Sequence, residues 1–298
     1  MDFFECYRLA GKIASDVRER AKGRYYVGTT LLEICETIEA EIREKGGAPA
    51  FPVNVSLNDI AAHYTAAPSD GLAVKEGDVL KIDIGVHVDG YIADTAVTIS
   101  YDRKYESLIR VAEIALNEAV KVARADAKAN DIGNVIENTI VKQGFKPIQN
   151  LSGHSLDRYT IHAGKSIPNI KTIGPSFSLS SNQAYAVEPF VTTKDGEGVV
   201  YEGRVCNIFS ITSRKPIKNQ KADAFLEYLW TKFRTLPFAL RWITESYDER
   251  EASELIELLV KKRNLHAYPI LVEAHGRLVS QAEHTLIPAV DSNYVLTL

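Results

Sequence analysis

Apolar residues recur at helical spacing over residues 4–22 and again over 29–45, where Leu31, Leu32, Ile34, Cys35, Ile38 and Ile42 form one stripe. Thr29 or Thr30 suits the start of the second helix and Gly46-Gly47 its end. From Val79 to Ser100 the period changes to two. Leu80, Ile82, Ile84 and Val86 precede a four-residue loop, His87 to Gly90, and Tyr91, Ala93, Val97 and Ile99 follow it, which predicts an antiparallel hairpin. Helical spacing returns over 105–125 and 131–143, before a stretch at 150–168 that carries Gly and His and reads as too irregular for a plain core element. After Val191 come a turn at Asp195 to Gly198, a short strand-like run ending at Ile211, and three predicted helices within 219–263. Strand-like pieces resume at Tyr268 to Glu273 and Leu278 to Ile287. The order predicts an α+β catalytic domain over 1–194 and 267–298, interrupted by a mainly helical insertion at 195–266.

Composition narrows the class. With 298 residues, 45% of them hydrophobic and 25% charged, the chain has the make-up of an ordinary globular protein. A net charge of −4 leaves no broad cationic surface for nucleic acid or acidic lipid. No apolar run reaches membrane length, and charges at Asp2, Glu5, Arg8 and Lys12 break up any secretion-signal pattern. Cys6, Cys35 and Cys206 form no paired metal or redox motif, so a reducing cytoplasm is the expected compartment.

Asp83 and Asp94 each interrupt a good strand pattern, and aspartate is depleted in strands. A turn centred between Val88 and Asp89 sets them directly opposite, where like charges repel, so a shared cation is expected between them. Alone, the pair is as readily read as solvated acids on the wet face of an edge hairpin. Further residues shift that balance. Glu188 lies within the apolar run Ala184 to Val191 and Glu283 within Val279 to Ile287, where a lone buried charge is costly. His63, His154 and His162 add imidazoles, each of which taken singly reads as a structural histidine.

On these residues the chain resembles the type 2 methionine aminopeptidases of the archaeal sort, within the pita-bread fold shared with prolidases and creatinase. The likeness is carried by Lys81-Ile82-Asp83-Ile84-Gly85, Ala93-Asp94-Thr95-Ala96, Gly153-His154-Ser155, Ile161-His162-Ala163-Gly164-Lys165, Val187-Glu188-Pro189-Phe190 and Ala282-Glu283-His284-Thr285, in family order over nearly the whole chain. The insertion falls where the type 2 branch carries a winged-helix-like subdomain.

The resemblance implies two divalent ions, Mn, Fe, Co or Zn, held by Asp83, Asp94, His154, Glu188 and Glu283. Four carboxylates and one imidazole match the donor preferences of such ions and not a closed thiolate zinc site. It implies hydrolytic removal of an N-terminal methionine preceding a small residue, by attack of a metal-activated water. Glu188 would shuttle the proton, while His63 and His162 would serve the amide and the carbonyl oxygen, with the assignment between them open. Phe51, Ile161, Phe190 and Tyr268, with His63 and His162 at the rim, would receive the methionine side chain. The implied partners are nascent polypeptide N-termini, with the ribosome a further candidate, acting on a monomer without membrane or nucleic acid.

Two rivals belong beside this reading. One is a non-catalytic, nucleic-acid-binding relative that has lost its metal ligands; the other is a prolidase or Xaa-Pro aminopeptidase with nearly the same ligand set. Retention of all five ligand positions argues against the first. The insertion's acidic helix, with Glu245, Asp248, Glu249, Glu251, Glu254 and Glu257, would repel phosphates. The place of the insertion and Glu283-His284-Thr285 favour the methionine enzyme over the second.

Overall fold

The computed structural model describes residues 1–244 and 246–298, and Glu245 lies outside them. Helix α1 spans Phe3–Lys22 and α2 Leu31–Glu44. Each opens with a reciprocal capping box, Asp2 with Glu5 and Thr30 with Glu33, which satisfies amide groups that the first turn leaves without helical partners. Their apolar stripes, including Ile13, Val17, Ile34, Ile38 and Ile42, pack on Ile82, Ile84, Val86 and Val97 of the hairpin strands Val79–Val88 and Tyr91–Ser100. Asn54–Leu57 and Ala48–Pro49 pair with the first hairpin strand to complete that sheet.

The second half repeats the plan of a helix pair on a sheet. Helices α3 (Glu106–Val122) and α4 (Ala129–Lys142) bury Val111, Leu116, Ile132, Ile136 and Ile140 against Tyr185, Val187 and Leu286. These last residues belong to a five-stranded sheet in the order Asn293–Val295, His284–Pro288, Ala184–Val187, Ser152–Leu156, Ser166–Pro168. Two three-stranded sheets join the halves. One pairs Phe190–Thr192 with Val279–Gln281 and Lys146–Pro147, and the other pairs Leu271–Glu273 with Val200–Glu202 and Ile60–Ala62. Among the described residues, no helix is long and apolar enough to cross a membrane.

Between Val200–Glu202 and Leu271–Glu273 the chain forms a unit with its own apolar cluster. Helices α5 (Gln220–Phe233) and α6 (Glu249–Lys261) pack there through Phe225, Leu229, Ile256 and Leu259, on a small sheet of Phe238–Ala239, Ile208–Ile211 and Leu265–Tyr268. Among the described residues there are two helices in place of three, separated by the short 3-10 turn Leu240–Trp242. The polar groups of that turn are engaged elsewhere: Arg241 forms a buried ion pair with Glu39 of α2, and Trp242 Nε1 donates to Glu39 Oε2 at 2.6 Å.

Arg241 also donates to Thr65 Oγ1 (2.8 Å) and to the Ala66 carbonyl (3.0 Å), tying the unit to the segment that follows His63. Removing one partner of a buried pair leaves the other without compensation. Arg241→Met is therefore expected to lower the unfolding free energy by roughly 3–5 kcal/mol. Glu39→Gln combined with Arg241→Met should recover at least half of that loss. Urea denaturation checks both, and a single-variant loss below about 1 kcal/mol would show that the pair is not a principal tether.

Candidate functional site

The hairpin turns at Asp89-Gly90 alone, both residues having positive φ (+50° and +84°). The tighter turn corrects the expected four-residue loop, because an Asp-Gly pair adopts the hairpin turn whose twist matches the strands. His87 and Val88 consequently remain in the ladder and the register shifts. Asp83 faces Ala96, and Asp94 faces Gly85, so the two acids are diagonal neighbours on one face and not direct opposites. Gly85 is required there for space, since Phe51 ring atoms lie 2.2 Å from where a Cβ would stand.

Threonine hydroxyls bring Glu283 to the same place. Thr95 Oγ1 donates to the Glu283 carbonyl (2.8 Å), and Thr98 Oγ1 donates to the Gln281 carbonyl (2.7 Å). Thr285 Oγ1 accepts from the Asp94 amide (2.7 Å) and donates to the Asp94 carbonyl (2.8 Å). His154 lies in the regular strand Ser152–Leu156, not in an irregular segment. The misleading signal was Gly153, which is needed because the Ala186 carbonyl oxygen would sit 2.3 Å from its Cβ. Glu188 lies between Ala184–Val187 and Phe190–Thr192, and Asn169 Nδ2 donates to its carbonyl at 3.0 Å.

One candidate donor atom from each of Asp94, His154 and Glu283 lies within 4.8 Å of the others, and all three residues are buried. His154 Nε2 is 3.7 Å from Asp94 Oδ2 and 3.6 Å from Glu188 Oε1. Two donors about 2.1 Å from a tetrahedral ion are about 3.4 Å apart, so these separations are of the size found around a shared cation. Gln281 Nε2 donates to Asp83 Oδ2, Glu188 Oε2 and Glu283 Oε2, each at 3.4 Å. Sequence reasoning passed over Gln281, although its position two residues before Glu283 in an extended segment places both side chains on one side.

Burial raises the Asp83 carboxyl to about 7. It also holds Asp94, Glu188 and Glu283 well above the usual carboxylate range, with the neighbouring acids adding to the effect. Burial acts oppositely on the imidazoles. His154 falls to about 3 and His63 to about 4, each also opposed by His162, whose own value is lowered by burial and then by His266.

A cavity of about 350 Å³ opens beside the cluster. All five expected ligand residues line it, as do Phe51, His63, Ile161, His162, Phe190 and Tyr268. Asn54, Leu271, Ile208 and Pro237 line it too and were not anticipated. His63 adopts a left-handed φ of +66°, its Nδ1 lies 3.3 Å from the Pro269 carbonyl, and its ring meets Tyr268 edge-on at 5.7 Å between centroids. The His154 and His162 rings meet edge-on at 4.5 Å.

Residues 5–207 match metallopeptidase family M24. Over 288 residues the chain is 45% identical to the methionine aminopeptidase of Pyrococcus horikoshii, covering 97% of each protein. Among solved structures it is similar to a thermophilic Arx1, with a TM-score of 0.86 and 17% identity over 99% of this chain and 91% of that one. It is also similar to the methionine aminopeptidase of Rickettsia prowazekii, with a TM-score of 0.71 and 20% identity over 99% and 97%. At those identities the structural likeness speaks for the fold alone, which is the pita-bread fold found in the methionine aminopeptidases. The full-length match to an archaeal relative and the family match over two-thirds of the sequence agree: the chain belongs to metallopeptidase family M24, among its methionine aminopeptidases.

Proposed function

We propose that this protein is a metal-dependent aminopeptidase that hydrolyses the bond after an N-terminal methionine when the next residue is small. One observation carries the reading: two buried carboxylates, Asp94 and Glu283, two half-buried ones, Asp83 and Glu188, and the buried His154 imidazole converge beside an apolar cavity. Asp83 Oδ1, Asp94 Oδ1 and Glu283 Oε1 are buried without a hydrogen-bond partner among the described residues. Buried polar atoms left in this way call for a ligand, and anionic oxygens call for a cation. Asp83, Asp94, His154, Glu188 and Glu283 fit two divalent ions of the Mn, Fe, Co or Zn kind. When bound, such ions polarise a carbonyl and make water acidic enough to attack it near neutral pH.

The remaining work falls to the chain's own groups. Glu188 takes the proton from the attacking water and returns it to the leaving amine. A carbonyl can only accept, so the His63 Nδ1–H donates to Pro269. In the neutral imidazole Nε2 is then an acceptor, suited to the scissile amide N–H and not to an oxyanion. His162, which lines the same cavity, is left as the donor to the carbonyl oxygen. Phe51, Ile161, Phe190 and Tyr268 supply the apolar surface on which a thioether packs.

The same reading treats residues 195–266 as an inserted subdomain, supported by its separate apolar cluster. It places the enzyme in the reducing cytoplasm, consistent with three free cysteines, acting as a monomer on nascent chains presented by the ribosome.

The metal-loaded protein is expected to release methionine from Met-Ala-Ser while leaving Xaa-Pro dipeptides intact. Glu188→Gln should lower that turnover by about 10²–10⁴-fold with an unchanged circular dichroism spectrum. Preferential cleavage of Xaa-Pro would replace the proposal with the prolidase reading, and inactivity of the loaded protein on both substrates with the binding-module reading.

Stability should also depend on pH in a metal-sensitive way. Above about pH 7.5 the histidines are almost wholly neutral in both folded and unfolded chains, and the raised carboxyls together keep protons that the unfolded chain has released, against the single proton that Lys81, lowered by burial to about 7, gives up on folding. Their stabilising contribution is present at low pH and disappears as pH rises through their folded values. The melting temperature of metal-free protein should therefore fall between about pH 7.5 and 8.5, and Mn²⁺ should abolish that fall. A flat or rising profile without metal would contradict the proposed electrostatics.

A further inference from the structure

Lys81 lies two residues before Asp83 in the strand Val79–Val88, so both side chains leave the same face of the sheet. The residue is 1% exposed. Its Nζ donates to two main-chain carbonyls, Asn58 at 3.0 Å and Val279 at 2.9 Å, and neither partner is a carboxylate. A lysine this deeply buried and bound only to backbone needs an explanation that surface solubility cannot give.

What its partners lead to supplies one. Asn58, with a left-handed φ of +52°, heads the strand Ile60–Ala62, which delivers His63. Val279 opens the strand Val279–Gln281, which carries Gln281 and leads to Glu283. The Asn58 carbonyl also accepts from the Val279 amide at 3.0 Å, so one oxygen receives both the strand end and the lysine. Three segments thus meet at a single nitrogen, and each enters the site within five residues of that junction.

The geometry points to Lys81 as a positioning residue whose buried amino group fixes the relative placement of Asp83, His63 and Glu283, and through it the affinity of the carboxylate cluster for divalent ions. This rests on the metallopeptidase reading above, since it assigns the cluster its cations.

Two variants separate positioning from mere folding. Lys81→Met keeps most of the bulk and removes the donors, whereas Lys81→Ala removes the atoms of one propylamine molecule. Titration calorimetry with Mn²⁺ should show affinity reduced about 10–100-fold in both, the range typical when support behind metal ligands is lost. The kcat on Met-Ala-Ser should fall alongside, with KM within about threefold of the parent. Propylamine should restore Mn²⁺ affinity to Lys81→Ala in a saturable way and leave Lys81→Met and the parent unaffected. Should Lys81→Met fail to fold, Lys81→Ala purified in propylamine decides the matter, because its Mn²⁺ affinity should drop on dialysis. Affinities within threefold of the parent, or a loss in Lys81→Ala that propylamine does not reverse, would overturn the assignment. A parent protein that binds Mn²⁺ yet releases no methionine would overturn the functional reading, while the calorimetric comparison would still judge Lys81.

Discussion

Four carboxylates lining one cavity repel each other, and much of the fold is the framework that holds them there. Asp83 and Asp94 come from one hairpin, and Glu188 and Glu283 each from a two-residue link between strands of different sheets. Left to themselves these segments would gain by separating. Thr95, Thr98 and Thr285 prevent this by bonding the hairpin's second strand to the segment around Glu283, through hydroxyls whose residues are fully or almost fully buried. Arg18 of α1 reinforces the arrangement from behind, donating to Thr95 Oγ1 and to the Thr297 carbonyl. The two large apolar clusters on either side supply the stability that the acidic centre lacks.

Local chemistry made the outer parts of this framework legible. The stripes of α1 and α2, their capping residues and the alternating hairpin pattern all depend on neighbours within a few positions, so sequence alone indicates them. The hairpin register was misplaced because Asp89-Gly90 was spread into a longer loop, although that dipeptide is the strongest short hairpin signal available. Asp83 and Asp94 stood out as interruptions of a strand. Their meeting with Glu188, His154 and Glu283 depends on pairings between distant strands, and family resemblance, not spacing, pointed to it.

Other features escaped for the same reason. Gly153 reads as a loop residue until the Ala186 carbonyl beside it is seen, and Gln281 reads as an ordinary polar strand residue until three carboxylates surround its amide. The Leu240–Trp242 turn has apolar content enough for a helix, but Arg241 and Trp242 answer to Glu39, about two hundred positions earlier. The orientation of His63 likewise depends on a carbonyl at Pro269, in the link between the small unit's sheet and the strand Leu271–Glu273.

Tyr268, Ile208 and Pro237 reach the cavity from the separately cored unit, whereas every acid in the cluster comes from elsewhere. Ownership of the chamber is therefore split. Over generations, mutations in the smaller body can widen, narrow or reshape its share of the cavity wall, without replacing any residue of the acidic cluster. Selectivity and reactivity in this lineage are free to drift at different tempos.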